Sequence, residues 1–253
     1  MIAWEKQQLL YERKAYRIVQ KHISRILKKL PTDVELYNYE LTIELNITYD
    51  DIYKMFKEIY FTIGLDYGNK INKEIEKTKK ANVLFNEQLL KEILLFLSSD
   101  GGVKITSVRD TLIEDIIKSI KDTLGSNATI IDLCNAIQAI ISKSQTFYKW
   151  QSLRIARTET TASSGFAAMK TAEASDLVMT KEWIAAKDDR TRHDHRYLNG
   201  KSVDLEGNFL TETNISISYP GDPKAPANEV INCRCTIGFK AKRDADGMLI
   251  FKK

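Results

Sequence analysis

Two cysteines separated by one residue, Cys233 and Cys235, carry the most pointed chemistry in this sequence. On an extended backbone alternate side chains share a face, so both thiols would point the same way. The loop between them is too short for an unstrained disulfide. The pair therefore suits two metal ligands better than a bridge. A polar stretch at 188–195, DDRTRHDH, holds His193 and His195, two of the three histidines of the chain. His195 with Cys233 and Cys235 makes three soft or borderline donors from two distant segments. Zn2+ accepts such a set, although a closed structural site has four ligands. Other readings stand beside it: His193 and His195 as a metal pair, His195 as a general base, or a plain polar loop held by Asp–Arg hydrogen bonds. Leu198-Asn199-Gly200 then reads as a tight turn.

A second constellation is RIARTET at 154–160. On a helix Arg157 and Glu159 fall about 200° apart, so they cannot pair with each other and each needs a partner elsewhere. Thr161, Gly165, Ala168 and Ala172 give this helix a small-residue face that another backbone can approach closely. A solvated helix is the plain alternative. Near the N-terminus Lys14, Arg17, Lys21, Arg25 and Lys28 recur every three or four residues and make one basic stripe. Such a stripe suits the phosphates of double-stranded DNA, with little sequence preference. The chain has no Gly-rich phosphate loop of the Walker type. It also lacks the Glu-x-Glu near Arg157 expected of many arginine-directed transferases. An ADP-ribosyltransferase-like or nuclease-like site built on Arg157, Glu159 and His195 is therefore only an alternative reading.

The elements that must position these residues are mostly helical. The chain has 253 residues, 43% hydrophobic and 28% charged, with a formal net charge of +4. That is enough apolar content for a core, and too little charge to make nucleic-acid binding the main task. Its three cysteines are too few and too odd for a disulfide framework. Neither a bilayer-spanning run nor a secretory leader is visible, which points to synthesis in the cytoplasm of a host and no membrane partner. Proline is missing between Pro31 and Pro220, which permits long helices. Leu9, Tyr16, Val19, Ile23, Ile26 and Leu30 form an apolar helical stripe. Thr48 caps a second helix, weakened at Gly64 and Gly68 and resuming toward Lys80. A short apolar helix covers 84–97, SSDGG at 98–102 breaks the chain, and 106–124 forms a helix closed by Gly125. One long helix, or two in series, spans 130–174. After Ser175 the pattern turns short and mixed. Ile215, Ile217 and Tyr219 alternate like a strand, and 230–240 reads as another. The fold class is α+β: a helical body with a smaller turn-rich module, divided as 1–129, 130–240 and a tail at 241–253.

Taken in order, the motifs resemble the phage Mu F-like family of minor head proteins. They are RIARTE with Arg154, Arg157, Thr158 and Glu159; Lys181-Glu182-Trp183; the DDRTR stretch with Asp189, Arg190 and Arg192; His195; Leu198-Asn199-Gly200; Phe209; Pro220-Gly221-Asp222-Pro223; and Asn232-Cys233-Arg234-Cys235. The resemblance covers 130–240. It implies a virion component of a tailed phage or prophage, without enzymatic activity. Such a protein would act in head morphogenesis at the portal and in DNA packaging or delivery, with portal, coat or scaffold protein as partners. It would lie in the capsid interior or portal region. The short stretch after NCRC leaves no expectation of an appended toxin domain. Where relatives carry Cys-x-x-Cys in the RTR stretch, Arg192 and His195 stand at the two positions here. The resemblance thus leaves at most three matched ligands, with His193 or Asp189 as candidates for a fourth. Alternatively, Arg192 replaces the metal's charge with hydrogen bonds and the cysteines stay reduced. Trp183, Leu198, Phe209 and Ile237 are expected in the core of the module. Arg157 is expected in a buried network whose loss would cost roughly 2–4 kcal/mol.

Overall fold

A computed structural model describes residues 3–78 and 86–252. The ends of two expected helices, at 79–80 and at Leu84 and Phe85, lie outside the described residues. Helix α1 (Ala3–Leu27) buries Val19, Ile23 and Ile26, and Leu30 is buried just beyond its end. Leu9 is 45% exposed, contrary to the apolar stripe read from the sequence. The buried line runs instead through Gln8, Tyr11, Ala15 and Ile18, which puts Leu9 one residue, about 100°, out of phase. A short α2 (Tyr39–Asn46) was not expected from the sequence. It buries only Tyr39 and Ile43, too little periodicity to stand out.

Helix α3 (Tyr49–Ile59) opens on a capping box. The Thr48 side chain accepts from the Asp51 N–H, and the Asp51 carboxylate accepts from the Thr48 N–H. A π-helical turn at Tyr60–Gly64 follows, then α4 (Leu65–Thr78). The weakening expected around Gly64 is thus one wide turn rather than an interruption. Helix α5 (Asn86–Ser98) is followed almost at once by α6 (Asp100–Thr123). The break falls at Ser99 alone, and both glycines of SSDGG are helical. A Cβ on Gly101 would sit 3.0 Å from the Phe96 ring and carbonyl. Helix α6 ends on an extended Leu124, and Gly125 is not in the left-handed conformation of a glycine stop. The run at 130–174 divides into α7 (Ile130–Ser142), α8 (Ser144–Phe147) and α9 (Lys149–Glu173).

The C-terminal module comprises β1 (Met179–Ile184), α10 (His193–Leu198), β2 (Ser202–Asp204), β3 (Phe209–Leu210), β4 (Ser216–Ile217), α11 (Ala227–Val230) and β5 (Thr236–Ala241). Its antiparallel sheet has the order β2-β1-β5, with Trp183 opposite Ile237, and β3 pairs with β4. The strand expected through Tyr219 shrinks to β4 because the chain turns at 219–222. The run at 230–240 starts as the end of α11, turns at 231–232, passes through Cys233 and Cys235 without regular structure, and becomes β5 only at Thr236. Trp183, Leu198, Phe209 and Ile237 are all buried. The architecture is α+β, with a helical N-terminal body and a small antiparallel sheet. No described helix is long and apolar enough to cross a membrane.

Helix α9 is the axis of this arrangement. Helices α1 and α4 pack along it, and β5 lies against it. One hydrophobic core is continuous from α1 through α9 to the sheet, across the 129/130 division. From Thr158 to Met169 every residue of α9 is buried, most of them small. At its middle the turn at 219–222 comes down onto the helix. A Cβ on Gly165 would lie 2.5 Å from the Pro220 carbonyl, and one on Gly221 would lie 2.5 Å from the Ala162 Cα. Gly221 also has φ +86, which side chains rarely adopt. We expect Gly165→Ala to destabilise the protein by about 1–3 kcal/mol in chemical denaturation, through overpacking, and Gly221→Ala by at least as much. Gly125→Ala, with nothing within 4 Å, should stay within about 0.5 kcal/mol. Equal midpoints for all three variants would contradict the close approach.

Candidate functional site

The three motif stretches meet on one side of α9, held by hydrogen bonds that α9 hydroxyls make to the NCRC backbone. The Thr158 hydroxyl accepts from the Asn232 N–H at 3.0 Å, and the Thr161 hydroxyl donates to the Cys233 carbonyl. Trp4 Nε1 donates to the Arg234 carbonyl at 3.0 Å, so α1 grips the same loop. Asn232 has φ +59, a conformation asparagine tolerates better than most residues. In the PGDP turn the Asp222 carboxylate accepts from the Ser218 and Lys224 N–H groups, at 3.0 and 2.9 Å. Asn199 Oδ1 accepts from the Ala185 N–H at 2.9 Å, and Gly200, at φ +79, donates to the Trp183 carbonyl at 2.8 Å. Lys181 is fully buried, 3.3 Å from Ser218 Oγ, and burial pulls its pKa down to about 8.

Asp188 ties the DDRTR stretch to NCRC. Its carboxylate receives both terminal nitrogens of Arg234, one at 2.6 Å, together with the Arg190 N–H and the Thr191 hydroxyl. The forked Arg234 pair holds its pKa down to about 2, against the desolvation that opposes it. Asp189, which the family pattern singled out, is exposed. Arg192 donates to the Ile231 carbonyl, and the exposed His193 pairs with Glu212 at 2.9 Å.

His195, Cys233 and Cys235 are brought together, each 2% exposed. His195 Nδ1 lies 3.5 Å from Cys233 Sγ and 3.4 Å from Cys235 Sγ. On the other side of the ring, Nε2 lies 3.0 Å from the buried Glu229 carboxylate, although not in line for a hydrogen bond. Trp183 packs edge-on against the ring, with centroids 5.1 Å apart. The hydrogen bond between the thiols, with burial, pushes Cys233 up, and the same bond with that of His195 pulls Cys235 down against burial. His193 belongs instead to a separate group with Asp194 and Glu212, of which His193 and Glu212 are exposed.

Arg157 and Glu159 find separate partners. Arg157 lies 3.5 Å from Glu12 on α1, with its own side chain 36% exposed. Glu159 is buried, accepts from the Tyr60 hydroxyl at 3.1 Å, and lies 3.6 Å from Lys104 Nζ. This corrects the expectation that Arg157 occupies a buried network; the buried charge is Glu159. Glu159 and Thr158 also line a cleft of about 370 Å³ between α6, α9 and α11, with Arg154 among its lining residues. Arg157, Glu159 and His195 thus have three distinct partner sets. Glu229, Lys104 and Tyr60 were missed in the sequence because their roles depend on partners far away in the chain; Asp188 lay in the stretch read as a loop held by Asp–Arg hydrogen bonds, but its distant partner Arg234 was not foreseen. The basic stripe on α1 is exposed at all five positions, and among the described residues only Lys21 pairs with a carboxylate, Glu58.

The model of the family described as phage Mu protein F like protein matches residues 109–238, just over half of the chain. This chain belongs to that family. The Bacillus phage SPP1 protein called minor head protein GP7 is 26% identical over 245 residues, covering 86% of this chain and 77% of that one. The Enterococcus faecalis protein called NAD(+)–arginine ADP-ribosyltransferase EFV is 30% identical over 141 residues. That match covers 53% of this chain and only 27% of the Enterococcus protein. No solved structure matches.

Two outcomes follow for this Mu F-like chain. Glu159→Ala should cost about 3–5 kcal/mol, because it leaves Lys104 without its buried partner. Arg157→Ala should cost about 1 kcal/mol or less, as a part-exposed pair. Denaturant midpoints that reverse this order would overturn the assignment. The second outcome concerns acid. Asp188 has a lower pKa folded than unfolded, so its contribution is complete above pH ~4 and is lost as pH falls toward ~2. The Tm difference between the native protein and Asp188→Asn should therefore be steady near neutrality and narrow across that window.

Proposed function

We propose that this protein is a minor head component of a tailed phage or prophage, acting in head morphogenesis at the portal. The observation that carries this reading is the alignment with the SPP1 minor head protein, which runs through most of both chains rather than through the shared family region alone. The buried character of α9 and of the motif network supports it. Those residues are committed to holding backbone segments together, as suits a structural part of a particle. Portal, coat or scaffold protein is the expected partner.

We further propose that the exposed face formed by Lys14, Arg17, Lys21, Arg25 and Lys28 meets double-stranded DNA during packaging or delivery. These residues fall within one arc of α1, opposite the line that faces α9. The net charge of +4 makes this a local contact rather than a general affinity. Transferase or nuclease chemistry is not proposed, because Arg157, Glu159 and His195 do not share partners.

Deleting the gene in the phage or prophage that encodes it should give defective heads, and the purified protein should co-sediment with the portal protein. Normal, infectious heads without it would remove the morphogenesis reading. For the basic face, binding to duplex DNA should weaken steeply with salt. Replacing Lys14, Arg17 and Arg25 with Gln should lower the slope of log K against log salt by up to about 2–3. An unchanged slope would assign the face to a protein neighbour or to solvent.

A further inference from the structure

We propose that His195 Nδ1, Cys233 Sγ and Cys235 Sγ bind one Zn2+ ion, which clasps the DDRTR and NCRC stretches together. The spacing is the first argument. Tetrahedral zinc with its usual Zn–N and Zn–S bond lengths places nitrogen and sulfur ligands roughly 3.5 Å apart. The two observed nitrogen–sulfur distances are 3.5 and 3.4 Å. All three donor atoms lie within 4.8 Å of one another.

The surroundings are the second argument. Glu229 stands at Nε2, and a small rotation would let Nε2–H donate to it. That proton placement leaves the Nδ1 lone pair directed at the sulfurs, the arrangement by which a carboxylate orients a metal-bound histidine. Two thiolates, a neutral imidazole and Zn2+ sum to zero charge, so the ion can be buried without an uncompensated charge.

The fold gives the ion a task. His195 comes from α10, while the cysteines lie on the segment that leads into β5. One ion would therefore join segments 38 and 40 residues apart. Among the described residues no fourth protein donor joins the group, and a water molecule or similar small donor completes the tetrahedron. His193 is not that donor, since it faces Glu212 on the exposed side.

The test uses the full chain purified under reducing conditions. Elemental analysis should find about one zinc per chain, and the Cys134→Ser variant should keep it. Cys233→Ser and His195→Ala should lose it. Chelation should lower the Tm, and zinc sulfate should restore it. Should those variants fail to fold, titrating the chelated native protein with cobalt chloride decides the question. Saturation at one equivalent, with a thiolate-to-cobalt charge-transfer band and tetrahedral visible absorption, supports the site. Folded protein that takes up neither zinc nor cobalt, or that loses zinc only in Cys134→Ser, overturns it. Neither result depends on portal or DNA binding.

Discussion

The close approach of the PGDP turn to the middle of α9 is the constraint on which the rest of the molecule depends. Gly165 and Gly221 face each other's backbones with no room for a side chain on either. That contact brings the chain after β4 back across the helix and starts the run through α11 into NCRC. It acts together with Trp4 and the Asp188–Arg234 fork, which hold the NCRC loop from other sides.

A helix buried on nearly every side has its own chemical demands. An all-Leu helix would hold its neighbours too far away for backbone contact. Helix α9 uses Ala, Gly, Ser and Thr instead, and the hydroxyls must then be satisfied inside the protein. Ser163, Ser164 and Thr171 donate to carbonyls one turn back, while Thr158 and Thr161 turn outward to the NCRC loop. The same economy shapes α4. A Cβ on Gly68 would lie 2.5 Å from the Leu89 side chain and 3.2 Å from Thr171, so the glycine that weakens the helix lets it sit close to both α5 and α9. The intrinsic cost of glycine in a helix is about 1 kcal/mol, which tertiary packing can offset.

Local signals were legible in the sequence, and pairings between distant segments were not. The Thr48 cap and the core positions Trp183 and Ile237 could be read because period, cap and turn chemistry act within a few residues, whereas the run at 130–174, read as one helix or two, holds three. Helix α2 escaped because two buried side chains make no pattern. The glycines of SSDGG looked like a break, yet both lie in the first turn of α6, where Gly101 leaves room for the Phe96 ring and carbonyl. In the RIARTE motif the residue types were informative but their burial was not. Arg157 and Glu159 lie on different sides of one helix, and only the position of α1, Tyr60 and Lys104 decides which is enclosed. His195 with the two cysteines was readable through resemblance and donor chemistry. Glu229 behind the ring was not, since nothing near it in the chain marks it as a partner.

The distribution of charge separates what holds the protein together from what it can offer to others. Glu159 and Glu229 are buried, each beside a cation or an ionisable ring, and Asp188 is forked to Arg234. Removing one member of such a pair exposes the other to the desolvation penalty, so these groups are fixed by the fold and have little freedom to exchange partners. Arg17, Arg25 and Lys28 are in the opposite position, solvated along the outer face of α1 and, among the described residues, without a carboxylate partner. A solvated cation gives up little on meeting a phosphate or an acidic protein surface. The inner face of α1, through Trp4, Gln8 and Tyr11, is meanwhile anchored to the NCRC loop, α9 and α4. One helix therefore carries the exposed basic surface on one side and the contacts to the NCRC loop, α9 and α4 on the other.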